Sequence, residues 1–280
     1  MRIRAVIVGA FLCLLSVSAT AELSIQITQG VDNPIPIAIV PFSWEGSGVL
    51  SEDVDDIVRA DLEQVGEFRS LSLSNMIATP HDESQVFYRD WDILAQDYLL
   101  VGKINRAPGS QLVQVQYEFF DINRQVKLAG EVLTGSVTQL RDIGHEISNV
   151  VFESVTGTRG AFTTEILYIV SEFISPTESI FRLEKADYDG QRAQVLLESP
   201  EPIMSPSWSP NGQDVAYVSF ETDLPRIYIQ NIATGQRSQI TNYPNINSSQ
   251  YGRRMAASWP WCSRRMVART YTFKISTLTN

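Results

Sequence analysis

The sequence predicts an α/β domain followed by the first blades of a β-propeller, which the chain leaves incomplete. Two observations predict the propeller: a turn-and-strand unit near residue 210, and a second copy of the same pattern about 50 residues upstream. A third observation predicts the preceding domain, because residues 22–160 combine strand patterns with two long helical patterns. We therefore expect one domain at 22–160 and a partial propeller at 161–249.

The turn-and-strand unit contains S-P-S-W-S-P-N-G-Q-D-V-A-Y-V-S at Ser205–Ser219. Its second half alternates in the manner of a β-strand, and two further strand patterns follow at Arg226–Ile232 and Arg237–Thr241. This succession predicts one four-stranded blade. Four residues are predicted to form its structural turn: Trp208, Pro210, Asn211 and Gly212.

The upstream copy preserves the order of the same features. L-Y-I-V-S at Leu167–Ser171 matches A-Y-V-S-F at Ala216–Phe220, and the turn D-G-Q-R at 189–192 matches T-G-Q-R at 234–237. Two unrelated hairpins could share such turn residues, but agreement of strand, aromatic residue and Gln-Arg pair in one order favours a repeat. Two blades cannot close a ring, because propellers have about four to eight.

Within residues 22–160, apolar alternation predicts strands and helical spacing of apolar residues predicts helices. Gly66 and Gly157 are expected to end the two long helices, since glycine adopts the left-handed conformation of a helix terminus. Thr158-Arg159-Gly160 is expected to be a hinge between the domains. The strands are expected at Leu23–Thr28, Pro36–Phe42, Phe68–Leu73, Tyr98–Ile104, Leu112–Phe120 and Val126–Thr134, and the helices at Ser51–Val65, Trp91–Gln96 and Gln139–Thr156.

The amino terminus predicts export. Two arginines precede an apolar segment, Ala5–Val17, that is too short to span a membrane, and A-T-A at Ala19–Ala21 is typical of signal-peptide cleavage. We therefore expect residues 1–21 to be a signal peptide that is cleaved between Ala21 and Glu22. The mature protein is expected to be periplasmic and not inserted in a membrane.

Charge is distributed unevenly along the chain. All 32 acidic residues lie before residue 250, and the net charge of the whole chain is −10. Residues 250–280 contain six Lys and Arg residues and no acidic residue. An acidic body of this kind argues against nucleic acid and anionic lipid as partners.

The segment 250–280 also departs from the repeat. After Ser249 the repeat requires another turn of the W-S-P-N-G type, but composition, charge and periodicity all change at this point. We interpret this segment as an aberrant basic tail that follows loss of the reading frame and removes the remaining blades. A genuine basic interaction tail is the alternative.

The sequence lacks the patterns that are typical of enzymes and metal sites. G-x-S-x-G is absent, and the two histidines, His81 and His145, are expected to be solvated. Outside the signal peptide Cys262 is the single cysteine, which excludes an internal disulfide. The carboxylates at 52–56 fall on a first helical turn, where they complement the helix dipole. Three carboxylates beside a hairpin turn are also expected to be solvated: Glu184, Asp187 and Asp189.

We therefore predict a protein that is not an enzyme and has no catalytic, metal or cofactor site. Binding to other proteins is the expected function, because exported propellers commonly serve as binding platforms. The alternative is a secreted hydrolase associated with a propeller. Recovery of partner proteins from an envelope extract would support the binding function. Turnover of ester, peptide or glycoside substrates would support the hydrolase.

Six motifs occur in a specific order along the chain. They are I-A-I-V-P-F-S-W at Ile37–Trp44, D-I-V-R-A-D-L-E at Asp56–Glu63, Y-L-L-V-G-K-I at Tyr98–Ile104, F-E-S-V-T-G-T-R-G-A-F at Phe152–Phe162, D-Y-D-G-Q at Asp187–Gln191 and P-I-M-S-P-S-W-S-P-N-G at Pro202–Gly212. In this order they resemble the TolB family, periplasmic propeller proteins of the Tol-Pal envelope complex in Gram-negative bacteria. The resemblance extends from the signal peptide to about Ser249.

The resemblance implies a two-domain periplasmic protein that contacts the peptidoglycan-associated lipoprotein Pal through the propeller face. It also implies that the inner-membrane protein TolA recognises the mature amino-terminal arm, here Glu22–Asn33. The complex helps to draw in the outer membrane at cell division and keeps the envelope intact. The arm residues expected to bind a TolA-like partner are Glu22, Leu23, Ser24, Ile25, Gln26, Ile27, Thr28 and Asp32.

The arm also has a pattern of its own. E-L-S-I-Q-I-T at 22–28 alternates apolar and polar residues near the mature terminus. Such a segment can add as an extra strand to the exposed edge of a partner's sheet, where main-chain hydrogen bonds give affinity. It can equally be an edge strand of its own domain. Both interpretations hold if the arm first pairs with its own domain and is then released to a partner.

Overall fold

The computed structural model describes residues 33–107, 109–176, 178–241 and 271–272. The chain divides into two compact units, 1–33 and 34–280, and the described residues from Pro34 onward belong to the second. The predicted signal peptide, its cleavage site and all of the arm except Asn33 therefore lie outside the described residues. Most of the basic tail lies outside them as well.

A mixed sheet forms the centre of the first domain. Its strands are β1 (Ile35–Ile39), β2 (Ser43–Trp44), β3 (Phe68–Ser70), β4 (Tyr98–Arg106), β5 (Val113–Asp121) and β6 (Val126–Gly135). They lie in the order β3-β1-β4-β5-β6, and β2 pairs with β4. β1 is parallel to β3 and β4, whereas β4, β5 and β6 form the predicted antiparallel meander.

Three α-helices accompany this sheet: α1 (Val54–Val65), α2 (Tyr88–Ile93) and α3 (Leu140–Thr156). Gly66 and Gly157 follow α1 and α3 with φ angles of 80° and 73°, so both predicted helix ends are confirmed. A Cβ atom on Gly144 of α3 would lie 2.8 Å from Ile57 Cγ2 of α1, which shows how closely the two helices approach. Of the helices described, none has the length and apolar composition needed to cross a membrane.

The sheet has an apolar core on each face. The larger core joins the sheet to α1 and α3, and Ile39, Leu62 and Ile147 are fully buried in it. The smaller core lies on the other face and surrounds Trp91 of α2, whose side chain is 1% exposed. Because β1 is covered on both faces, its sequence is a continuous apolar run rather than an alternating one.

Two antiparallel sheets follow the α/β domain. The first contains β7 (Glu165–Ser175), β8 (Glu178–Asp187) and β9 (Gln194–Ser199), and the second contains β10 (Ile203–Trp208), β11 (Asp214–Ser219), β12 (Arg226–Asn231) and β13 (Arg237–Gln239). A two-residue strand, β14 (Tyr271–Thr272), pairs in parallel with β7 at Tyr168 and Ile169. These sheets correspond to the two predicted copies, so the predicted fold class is confirmed.

Predicted boundaries differ from the structure by up to three residues, and two of them have a clear local cause. α2 covers Tyr88–Ile93 rather than Trp91–Gln96, because Ala95 adopts a positive φ of 53° that ends the helix. β3 ends at Ser70, because the chain then forms a 3₁₀ turn at Leu73–Asn75. In both places the apolar pattern continues beyond the regular element, so periodicity alone extends it too far.

The predicted hinge at Thr158–Gly160 is held against α3. Arg159 Nη2 lies 2.7 Å and 2.8 Å from the two carboxylate oxygens of Glu146. Asn149 accepts the backbone N–H of Phe162 at 3.1 Å, and Phe162 is 3% exposed within the larger core. The segment is therefore tethered rather than free to swing. The domain limits at 160 and 161 stay predictions.

Candidate interaction sites

The predicted partner-binding arm precedes the described chain almost entirely. Its contacts are not part of the described structure, so the role of residues Glu22 to Asp32 stays a prediction. The chain that follows is firmly placed, since the backbone N–H of Ile35 donates to the Glu67 carbonyl at 2.8 Å. The arm thus leads directly into β1, an interior strand of the sheet.

The predicted blade turn joins β10 to β11. Gly212 has a φ of 69° and donates its N–H to the Ser209 carbonyl at 3.0 Å. Ser209 Oγ donates to Asn211 Oδ1 at 2.6 Å and accepts the backbone N–H of Asp214 at 2.9 Å. Pro210 lies exposed between them. Three of the four predicted turn residues therefore lie in a turn that Ser209, which was not predicted, organises.

Trp208 lies on a strand and not in the turn. It is the last residue of β10, pairs with Val215 of β11, and is half-buried. Its ring packs against an apolar core that contains Leu183 of the first blade and Tyr217 of the second. The prediction that Trp208 forms the turn is therefore wrong by one residue, because strand pairing extends to the position just before Ser209.

A buried polar cluster lies where α1, α3 and the turn after β8 meet. Asp61 of α1 and His145 of α3 are 1% and 2% exposed, and His145 Nδ1 lies 2.8 Å from Asp61 Oδ2. Tyr188 donates its hydroxyl to the other oxygen of Asp61 at 2.6 Å. The prediction that His145 is solvated is wrong, because the helix turns this residue inward, where its Nδ1 pairs with a buried carboxylate.

The electrostatics of the cluster keep Tyr188 a hydrogen-bond donor. Burial of the phenol, together with its hydrogen bond to Asp61, raises the pKa of Tyr188 well above its usual range. The hydroxyl therefore stays protonated and donates to the Asp61 carboxylate. A hydrogen bond between a neutral donor and a buried charged acceptor is stronger than one between two neutral groups.

Ion pairs surround this cluster. Arg141 of α3 lies between Asp187 and Asp189 of the first blade, and its side chain is 13% exposed. Arg192 pairs with Asp187 at 2.7 Å and with Asp142 of α3 at 2.5 Å. The prediction that Asp187 and Asp189 are solvated is wrong, because the hairpin turn packs onto α3 and its carboxylates meet these two arginines.

Three further groups lie in surroundings that the sequence did not indicate. Asp55 lies in the first turn of α1 as predicted, but it accepts the backbone N–H of Phe42 at 3.1 Å, and burial raises its pKa. His81 is half-buried rather than solvated, and among the described residues its Nδ1 has no hydrogen-bond partner. Glu184 is half-buried on β8, where its hydrogen bond to Tyr168 and the burial of that phenol raise the pKa of Tyr168 to about 12.

The geometry of the buried cluster fits a structural role better than a catalytic or metal-binding one. Within the part of the chain that the structure describes, His145 Nε2 has no hydrogen-bond partner, so the imidazole has no serine or threonine hydroxyl to activate. Asp61, His145 and Asp189 place possible ligand atoms within 4.8 Å of one another. Both oxygens of Asp61 already have hydrogen-bond donors, and Arg141 pairs with Asp189, so the two carboxylates of this set are already bonded.

Two family models match the chain in the order of its domains. The TolB amino-terminal domain matches residues 23–128, and the TolB beta propeller domain matches residues 152–253. The first match covers the mixed sheet as far as the start of β6, and the second begins within α3 and covers both blades. Together the two matches account for most of the chain.

Curated relatives agree with these matches. A protein of Pseudomonas fluorescens named Tol-Pal system protein TolB is 42% identical over 237 residues, which are 85% of this chain and 54% of the relative. A protein of the same name from Pseudomonas aeruginosa is 43% identical over 238 residues, which are 85% of this chain and 55% of the relative. The chain thus spans about half the length of the curated relatives it matches. Their names are those of Tol-Pal proteins and not of enzymes.

A solved structure has the same arrangement of domains. The crystal structure of TolB from Acinetobacter baumannii matches with a TM-score of 0.69 and 33% sequence identity, over 79% of this chain and 53% of that one. The two family matches, the named relatives and this solved structure therefore agree on one family. On these grounds the chain belongs to the TolB family.

Proposed function

We propose that this chain is a periplasmic protein-binding component of the Tol-Pal envelope system, which supports outer-membrane invagination at division and envelope integrity. The observation that carries the proposal is the order of two TolB family domains along one chain, with relatives of that name at 42% and 43% identity. The predicted signal peptide at residues 1–21 supports a periplasmic location. In the cluster around Asp61 both carboxylate oxygens are already bonded, which favours binding over catalysis.

The first proposed contact uses the arm Glu22–Asn33 and a TolA-like partner. Within the described residues β1 already lies between β3 and β4, so both of its edges are paired. The backbone hydrogen bonds on both edges of β1 are therefore made within the sheet, without the arm. This supports a role for the arm as a strand that adds to the sheet of a partner.

The second proposed contact is between Pal and the face of the propeller. The two described blades share one apolar core, in which Leu167 of β7 and Val215 of β11 are almost fully buried. Shared burial fixes the two blades against each other, which is what a binding face requires. Because the chain spans about half of its relatives, we confine this proposal to the surface of these blades.

The arm contact can be tested by titration calorimetry. The mature chain and a TolA-like periplasmic domain are the two components, and the arm is altered on one face at a time. Ile25 and Ile27 share a strand face with Leu23, whereas Ser24 and Gln26 share the other. We expect Ile25→Asp with Ile27→Asp to weaken binding at least about tenfold, and Ser24→Asp with Gln26→Asp to weaken it much less.

Deletion of residues 22–33 serves as the limiting case. We expect this deletion to abolish binding while the unfolding transition of the remaining chain stays unchanged. The two double variants carry the same added charge, so a difference between them reports the face and not electrostatics. Equal affinity with and without the arm would remove the proposed TolA-like contact. A parallel titration with Pal then decides whether the blades bind independently of the arm.

A further inference from the structure

The turn between β8 and β9 enters the groove between α1 and α3. The ring of Tyr188 lies edge-on to two other rings, with centroids 5.5 Å from that of His145 and 5.4 Å from that of Phe162. Its hydroxyl reaches Asp61 of α1 at 2.6 Å. One side chain of the first blade therefore contacts both long helices of the α/β domain.

The groove that holds Tyr188 keeps its own contacts when Tyr188 is absent. Asp61 and His145 bind each other across α1 and α3 at 2.8 Å, and neither residue belongs to the blade. Gly144, next to His145, keeps the two helices close at Ile57. If Tyr188 withdraws, Asp61 keeps its bond to His145 and gains water at the other oxygen. Withdrawal therefore leaves the helix pair intact.

The turn is equally complete in itself. The Asp187 N–H donates to the Gln191 carbonyl, and the Gly190 N–H donates to the Asp187 carbonyl, each at 2.9 Å. Arg192 stays beside Asp187 at 2.7 Å within the same turn. Among the described polar contacts, four groups of bonds need to break for the turn to leave. They are the bonds of Arg141 to the turn, the bond of Arg192 to Asp142, the bond of the Tyr188 hydroxyl to Asp61, and the bond of the Tyr188 N–H to the Thr164 carbonyl at 3.0 Å.

We propose that this turn is a conformational latch between the α/β domain and the first blade, and that the Tyr188 hydroxyl on Asp61 sets how often it opens. In the closed state Tyr188 occupies the groove, as in the structure. In the open state Tyr188 is solvated and its N–H no longer reaches the Thr164 carbonyl, while the Asp61–His145 pair and the two backbone bonds within the turn persist. The latch needs neither Pal nor a TolA-like partner, so it stands independently of the proposed function.

The test is hydrogen exchange on the full chain, read by mass spectrometry in three segments: 187–192, 54–65 and 140–156. Tyr188→Phe keeps the ring and removes the hydroxyl. We expect exchange in 187–192, at the Tyr188 amide, to become about tenfold to a hundredfold faster, because the bond of the hydroxyl to a carboxylate is lost and the amide leaves the Thr164 carbonyl more often. Exchange in the interiors of α1 and α3 should not change, because their own pair remains. That contrast distinguishes a latch from general destabilisation.

Tyr217→Phe is the matched control. It removes another buried hydroxyl, which binds Gln230 Oε1 at 3.0 Å within the second blade. We expect it to leave exchange in 187–192 unchanged. Asp61→Asn removes the charged acceptor, and in that background Tyr188→Phe should add less than about threefold, because the two side chains act as one pair.

Three results would overturn the proposal. One is a change in 187–192 below about twofold in Tyr188→Phe, which would mean that the hydroxyl does not hold the turn. Another is equal acceleration of α1, α3 and the turn, which would mean global unfolding. If Tyr188→Phe does not fold, exchange is measured on the wild-type chain instead. Exchange in 187–192 that is no faster than exchange in the interiors of α1 and α3 is the third result that would overturn the latch.

Discussion

Single polar side chains hold the irregular parts of this protein in place. Asp55 accepts the backbone N–H of Phe42 after β1, and Asn149 accepts that of Phe162 after α3. Each is a buried acceptor on a helix that reaches a neighbouring loop. Because a buried acceptor without a donor is costly, such bonds fix the path of the loop as well as satisfying the side chain.

Trp208 offers a test at the scale of one residue. We expect Trp208→Ala to lower the free energy of unfolding by about 1–3 kcal/mol, below the roughly 3–5 kcal/mol of a fully buried aromatic, because Trp208 is half-buried. Urea unfolding measures the loss. Met204→Ala is the control on the same strand, since its side chain is 51% exposed, and it should cost less than about 0.5 kcal/mol. Equal losses would mean that Trp208 does not pack between the blades.

At the scale of elements, the contact between α1 and α3 organises the α/β domain. The two helices cover one face of the sheet, and Gly144 lets them approach where Asp61 and His145 bind each other. A larger residue at 144 would push the helices apart at this point. The buried pair and the larger core therefore depend on the same close approach.

Gly144→Ala tests this approach. Alanine favours a helix over glycine by about 1 kcal/mol, but its Cβ would lie 2.8 Å from Ile57 Cγ2 and 3.0 Å from Ile57 Cβ. We expect overpacking to win and the variant to lose about 1–2 kcal/mol of stability in thermal or urea unfolding. Ile57→Ala with Gly144→Ala should be more stable than the sum of the two single variants predicts. Additive effects would contradict a direct contact.

The elements themselves were largely predictable, whereas the buried cluster was not. Helix ends at Gly66 and Gly157 and the strands of the meander follow from local periodicity and glycine conformation, which a sequence shows directly. The cluster joins Asp61 to His145 across 84 positions and to Tyr188 across 127 positions. Local patterns do not report which faces meet over such distances, so the sequence predicts a solvated His145 and gives no role to Asp61 or Tyr188.

At the scale of the whole molecule, the α/β domain and the first blade are joined by more than the connecting chain. Phe162, after the predicted domain limit, is 3% exposed in the larger core, and Tyr188 of the first blade also packs against that core. The apolar core of the first domain thus takes residues from beyond 160. A domain limit drawn at the end of α3 cuts through this core.

The fragments 22–160 and 22–164 test where the domain ends. We predict that both fold, but that 22–164 is more stable by about 1–3 kcal/mol, because it retains the buried ring of Phe162 and its bond to Asn149. Urea unfolding of the two purified fragments measures the difference. Phe162→Ala in the longer fragment should remove most of the gain. Equal midpoints for both fragments would place the limit at 160.

The sequential order of these contacts has a consequence for an exported chain. All pairings of the first sheet lie between residues 35 and 135, and the bond between Asp61 and His145 is available once α3 ends at Thr156. A polypeptide that crosses a membrane amino terminus first delivers these residues before the blades. The helix pair can thus be finished while the blades are still in transit. Tyr188 then arrives at a prepared surface, which shortens the time that unpaired strand edges spend exposed to aggregation.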